Sequence, residues 1–160
     1  MSVKSISLSD FESRASSGGG RLIYVKHDEQ PWHTWRPGVR TRMWSGAAAG
    51  AIALHMGEQL FEPGTGAPPH WHYYEEHVTL LEGRAEIFYD GEREILEAPA
   101  TVVFMPQKVH GFRNVGETPL HICGATNWPV NESFFVDGDG KALDTMRWWQ
   151  SGQEQAATTS

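Results

Sequence analysis

The stretch Gly64–Gly83 reads GTGAPPHWHYYEEHVTLLEG, and it decides the fold. It holds His70 and His72 with one residue between them, Glu76 four residues further on, and a glycine at either end. On any extended strand His70 and His72 share a face, because side chains alternate with period two. Glu76 has the same parity, but on a straight strand it would lie ~13 Å beyond His72, at about 3.3 Å per residue. Donors to a single ion sit within about 2.0–2.2 Å of it. For the three to share an ion, the chain has to turn between Tyr73 and Glu75. Glu76 then opens a new strand opposite the histidines. That strand carries Glu76, Val78 and Leu80 on one face and His77, Thr79 and Leu81 on the other. Imidazole with carboxylate suits a borderline divalent transition ion: Fe, Mn, Co, Ni, Cu or Zn. His110, in MPQKVHGFRN, is a fourth candidate donor and needs only to stand on another strand of the same barrel.

Outward from this stretch the chain keeps a β rhythm. Ala48–Leu60 reads as a strand with Ile52, Leu54 and Met56 on one face, ended by Pro63 and Gly64. Ala85–Tyr89 and Glu92–Leu96 flank Asp90-Gly91, a strong hairpin signal. Residues 101–106 (TVVFMP) read as a buried strand ended by Pro106, and Leu120–Thr126 as a further strand. Strands every 8–12 residues between turn signals indicate an all-β sandwich or barrel. Seventeen glycines and nine prolines, spread along the chain, support many turns over long helices.

The chain divides into an N-terminal arm (1–43), a β-barrel (44–126), a C-terminal extension (127–150) and a polar tail (151–160). In the arm, SLSDFESRAS reads as a short helix, with Ser9 and Glu12 spaced as a capping box. RLIYV (21–25) reads as a strand, and the Trp- and Arg-rich segment 32–44 as an extended arm laid on the barrel or on a second subunit. Its indoles need burial, which favours a homodimer. In the extension, SFFVDGDG reads as strand and turn and KALDTMRWW as a short helix.

Composition narrows the function classes. A chain of 160 residues is most simply one domain with a sizeable core. A net charge of −7 supplies no basic stripe for phosphates, which argues against nucleic acid. No apolar run reaches the length of a membrane span, and the N-terminus lacks the apolar stretch of a signal peptide. A single cysteine, Cys123, fits a reducing, cytoplasmic setting and reads as a small buried hydrophobe. Met56, Phe104 and Phe112 are candidate pocket residues, although aromatic and Met side chains at strand spacing are usually plain core. His55, His77 and His121 read as structural or exposed, and Arg36, Arg40 and Arg42 as solvated.

The spacing Gly64…His70-x-His72…Glu76…Gly83 resembles the first motif of the cupin superfamily. Ala100–Asn114 resembles the second, matching at Pro106, His110 and Asn114. Ala100 and Lys108 stand where that motif has glycines, and the Pro106–His110 link is one residue short. The resemblance covers roughly 45 to 126. It implies a small jelly-roll barrel, often dimeric, with His70, His72, Glu76 and His110 holding one metal ion and a small-molecule substrate.

Three chemistries fit such a centre. A redox ion supports oxygen-dependent cleavage of a small organic acid, phenol or diketone. A Lewis-acidic ion supports isomerase, cyclase, lyase or hydrolase chemistry, with Glu76 as a base. A ligand- or metal-binding module without turnover is the third. Family frequency favours the oxygenase narrowly, and no residue here separates it from the second.

Overall fold

Alternating burial along short strands sets the architecture. In a computed structural model that describes residues 22–136 and the backbone of 142–147, the strands are β1 (His33–Arg36), β2 (Val39–Ser45), β3 (His55–Phe61), β4 (Gly66–Trp71), β5 (Glu76–Glu82), β6 (Arg84–Tyr89), β7 (Glu92–Glu97), β8 (Ala100–Phe104), β9 (His110–Asn114), β10 (Leu120–Thr126), β11 (Glu132–Val136) and β12 (Ala142–Arg147). They form two six-stranded antiparallel sheets, ordered β1-β2-β3-β10-β5-β8 and β12-β11-β4-β9-β6-β7. This is the all-β jelly roll expected from the sequence.

The inner faces meet over Phe61, Val78, Leu80, Ile87, Phe104 and Ile122, all buried. Phe61 and Phe112 join the sheets edge to face, with ring centroids 5.0 Å apart. The Asp90-Gly91 turn forms as read, with φ of 49° and 93°, so β6 and β7 pair in full register. Gly83, at φ 94°, turns the chain from β5 in one sheet to β6 in the other. A side chain there would also crowd the Leu120 backbone, at 3.0 Å. Asn114 is buried and saturated: its amide donates to the Phe61 and Thr118 carbonyls and accepts from the Gly116 N–H, each at 2.8 Å. The Asn of the second motif is therefore a fastener for the strand ends.

Several expectations change. Residues 22–25 form no strand, and Leu22, Ile23 and Tyr24 lie exposed with no strand partner among the described residues. β3 begins at His55 and not at Ala48; a 3-10 turn at Ala47–Ala49 and the Gly46 and Gly50 caps break the earlier part, leaving Ile52 and Leu54 exposed. The segment 32–44 is extended, but as the β1–β2 hairpin: Pro37-Gly38 makes the turn, and β2 joins β3 in the sheet. Residues 101–104 lie in β8, an edge strand with Val103 exposed, where a wholly buried strand was expected. Residues 142–147 form β12 against β11 and not a helix, because strand pairing overrides local helix propensity. The N-terminal helix and the polar tail fall outside the described residues. No described helix is long and apolar enough to cross a membrane.

Candidate metal centre

The chain crosses from one sheet to the other between His72 and Glu76. β4 ends at Trp71, Tyr73 and Tyr74 form the bend, and β5 opens at Glu76 in the opposite sheet. β4 and β9 pair with His70 directly opposite His110. Strand alternation turns His70, His72 and His110 inward, and Glu76 faces them from across the barrel. The candidate donor atoms of all four residues lie within 4.8 Å of one another. The three histidines are buried.

Each imidazole is held by its Nδ1. His70 Nδ1 donates to the Pro68 carbonyl (2.6 Å), His72 Nδ1 to Glu132 (2.7 Å) and His110 Nδ1 to Lys108 (2.8 Å). A neutral imidazole that donates from Nδ1 offers a lone pair at Nε2. Those lone pairs converge on a carboxylate, which is also an acceptor. Glu76 Oε2 lies 3.1 Å from His110 Nε2 and 3.3 Å from His72 Nε2. The His72 nitrogen is buried without a properly directed hydrogen bond. Acceptors facing acceptors at this range are reconciled by a cation between them, a metal ion or a proton on a ring nitrogen that donates to Glu76. Two donors about 2.1 Å from one ion and at right angles stand ~3.0 Å apart, close to what is seen. The donor set therefore fits a divalent ion.

Electrostatics follow from burial and from this carboxylate. Burial, with His110 and His72 beside it, pushes His70 down to about 3. Burial alone would raise Glu76, but the His110 and His72 nitrogens hold its carboxyl well below the usual range. Burial opposes charge on His72 too, yet Glu76 and the Glu132 carbonyl raise it above its ordinary value. The site thus keeps an anion and at least one neutral imidazole, the forms a metal needs.

The surrounding shell includes residues the sequence reading passed over. Tyr74 stacks on His72 (4.8 Å) and donates to the same Glu132 carbonyl that holds the His72 ring (2.9 Å). It shares parity with His72 and Glu76, the one signal that could have marked it. Phe104 stacks on His110 at 4.2 Å. A space of about 40 Å³ beside the donors is lined by Trp35, Gln59, Phe112, Asn131, Ser133 and Phe135. Trp35 and Phe135 approach across the gap between the sheets, with centroids 6.2 Å apart. Of the expected pocket residues, Phe112 lines this space and Phe104 backs His110. Met56 does not line it, since it alternates with Gln59 and lies on the other face of β3.

The remaining histidines have other settings. His55 is buried, pushed down to about 4 by burial, and reaches the neighbourhood of Glu76 because Thr126 registers with both. His77 is exposed beside Glu75 (2.8 Å), and His121 contacts Glu58 (2.7 Å). Arg40 and Arg42 lie over Trp32, at 5.6 and 4.6 Å, so part of the aromatic segment is covered within the chain. Burial raises the Cys123 thiol, which is half-buried and free.

The family model for the cupin domain matches residues 57–124, the segment that carries all four donors. The chain carries a single cupin domain. It is 35% identical over 98 residues to a protein named polyketide synthase CurC from Streptomyces cyaneus. That match takes in 61% of this chain and 62% of the relative, so the chain spans under two thirds of the relative's length. Among solved structures, the cupin is similar to the polyketide cyclase RemF from Streptomyces resistomycificus (16% identity, TM-score 0.59, 82% of this chain and 89% of that one). It is also similar to an oxalate oxidase in complex with glycolate (20% identity, TM-score 0.63, 78% and 72%). A third similar structure is an RmlC-like cupin from Shewanella frigidimarina (17% identity, TM-score 0.58, 69% and 96%).

Proposed function

We propose that this cupin is a metal-dependent enzyme that cyclises or rearranges a small, oxygen-rich polyketone or phenol. One observation carries the reading: three imidazole Nε2 lone pairs and a carboxylate oxygen converge in a buried site, each ring fixed by its Nδ1. His70, His72, Glu76 and His110 would hold the ion. When bound, a divalent ion supplies Lewis acidity for a carbonyl or for water.

The chain's own residues supply the rest. Glu76 Oε2 lies toward His72 and His110, which leaves Oε1 as the oxygen that takes a proton from carbon next to a carbonyl. Gln59 Nε2 donates to Thr41 Oγ1 (2.8 Å), so its carbonyl is left to accept from a substrate hydroxyl. Asn131 and Ser133 add polar groups, and Trp35, Phe112 and Phe135 form an apolar wall that excludes water. The 35% identity to a protein named as a polyketide synthase supports a polyketide as the class of substrate.

The oxygen-dependent reading expected from the sequence stands second, since the same donors suit Fe. Protein purified without a histidine tag should hold about one equivalent of transition metal. Metal-loaded protein should convert a linear poly-β-ketone under strict exclusion of oxygen. Turnover only with oxygen uptake moves the assignment to the second reading. Protein that holds no metal and ignores added metal overturns both.

A further inference from the structure

A much larger depression lies on the outer face of the second sheet, away from the four donors. It encloses about 740 Å³, in the range of small-molecule sites. Its origin is local. Gly66 on β4 registers with Arg113 of β9, two residues from Gly111. A Cβ on Gly66 would fall on the Phe112 carbonyl, and one on Gly111 would lie 2.7 Å from the Ala67 carbonyl. Neither position tolerates a side chain, so the floor is bare backbone. Ala85 and Ile87 turn inward on β6, and Glu86 and Phe88 therefore turn outward to make a wall. Pro68 and Val109 continue the apolar lining, and Arg36 and Pro37 from the β1–β2 turn close one end.

The charges do not balance there. Arg93 and Arg113 both approach one oxygen of Glu86, each at 3.2 Å. The other lining carboxylate, Asp90, is taken by Lys108. Arg36 lies over Trp35 at 4.5 Å, and one of its terminal nitrogens is buried with no hydrogen-bond partner. Three guanidiniums thus line the groove, and Glu86, shared by two of them, is the one lining carboxylate not taken by Lys108, in a chain whose net charge is −7. A local cationic surplus beside apolar walls matches an anion with an apolar body.

We propose that this groove is a second ligand site that takes a small aromatic or aliphatic carboxylate, its charge toward Arg36 and Arg113 and its body along Phe88 and Val109. None of the four candidate metal donors lines this groove, although Ala67 and Phe112 border both it and the space beside them.

The test uses 2-naphthoate as probe and 2-naphthylmethanol as its uncharged counterpart, with amide chemical shifts mapped on the full chain. Naphthoate should shift the Gly66, Phe88 and Gly111 amides, and the alcohol should bind at least about tenfold more weakly. Arg36→Gln and, separately, the more exposed Arg113→Gln should each weaken naphthoate about tenfold without changing metal content. Arg36→Lys should keep most of the binding. The His72→Ala variant should bind naphthoate as the parent does. Equal binding of acid and alcohol, shifts confined to the metal centre, or full binding by Arg113→Gln and Arg36→Gln would each overturn the proposal. So would a dimer by sedimentation in which a second copy covers the groove and naphthoate shifts nothing.

Discussion

Two carboxylates, the buried Glu58 and the partly buried Glu76, sit on opposite faces of the same sheet, and both have histidine beside them. Glu58 is surrounded by donors: Arg42, the Trp44 indole N–H and His121 all point at it. Those contacts outweigh burial and lower its pKa, and the cluster is closed. Glu76 is surrounded by rings whose protons have been turned away toward backbone carbonyls. The residue types are similar, but the direction of the hydrogen bonds is reversed. A carboxylate ringed by donors is structural; a carboxylate ringed by acceptors calls for a cation.

The comparison breaks most sharply at the donors. His72→Ala or Glu76→Ala should abolish stoichiometric metal binding, measured by metal analysis after dialysis, while the circular dichroism stays that of a β protein. Glu58→Ala should leave metal content intact and cost about 3–5 kcal/mol in denaturant unfolding, because it strands the Arg42 guanidinium. If Glu58→Ala also empties the metal site, the two carboxylates are not separate systems.

Acid should act mainly on the Glu76 side. His70 and His55 are held neutral, at about 3 and about 4, below the usual histidine value of about 6.5. The unfolded chain therefore takes up protons there before the folded one does. These two histidines should cost the metal-free protein stability steadily from about pH 6.5 toward pH 4, read as Tm against pH, while His72, raised by Glu76, contributes stability that is lost as pH climbs through its folded value. His55→Phe should flatten part of that slope. A Tm independent of pH over this window would contradict the burial that sets both values.

Tyr74→Phe tests the support of one ring. It leaves the stack on His72 but removes the hydroxyl that shares the Glu132 carbonyl, and should weaken metal about tenfold with little loss of fold. The smallest effect is expected at His77→Ala. Its pair with Glu75 is exposed, and unfolding should change by no more than about 0.5 kcal/mol.

What could be read in advance follows the same logic. The distance argument at His72–Glu76 demanded a turn, and the bend at Tyr73–Tyr74 is that turn. The Asp90-Gly91 hairpin and β10 were legible because turn chemistry and strand period are local. β12 was not, because a segment that alternates poorly becomes a strand only when β11 offers an edge. The 46–54 loop departs from the expected strand because Ile52 and Leu54 carry strand parity but lie exposed. Trp35, Gln59, Asn131, Ser133 and Phe135 could not be found from spacing. They come from β1, β3, β11 and the approach to β11, and only the closure of two sheets brings them to one point.

That closure has a mechanical consequence. Three donors belong to the sheet containing β4 and β9 or to its immediate continuation, whereas Glu76 alone belongs to the other sheet. An ion bound here is a rivet through two layers, set with three prongs in one plate and one in the other. Any breathing of the layers is felt first at the single prong. Layer spacing would then set how closely Glu76 approaches the other three donors.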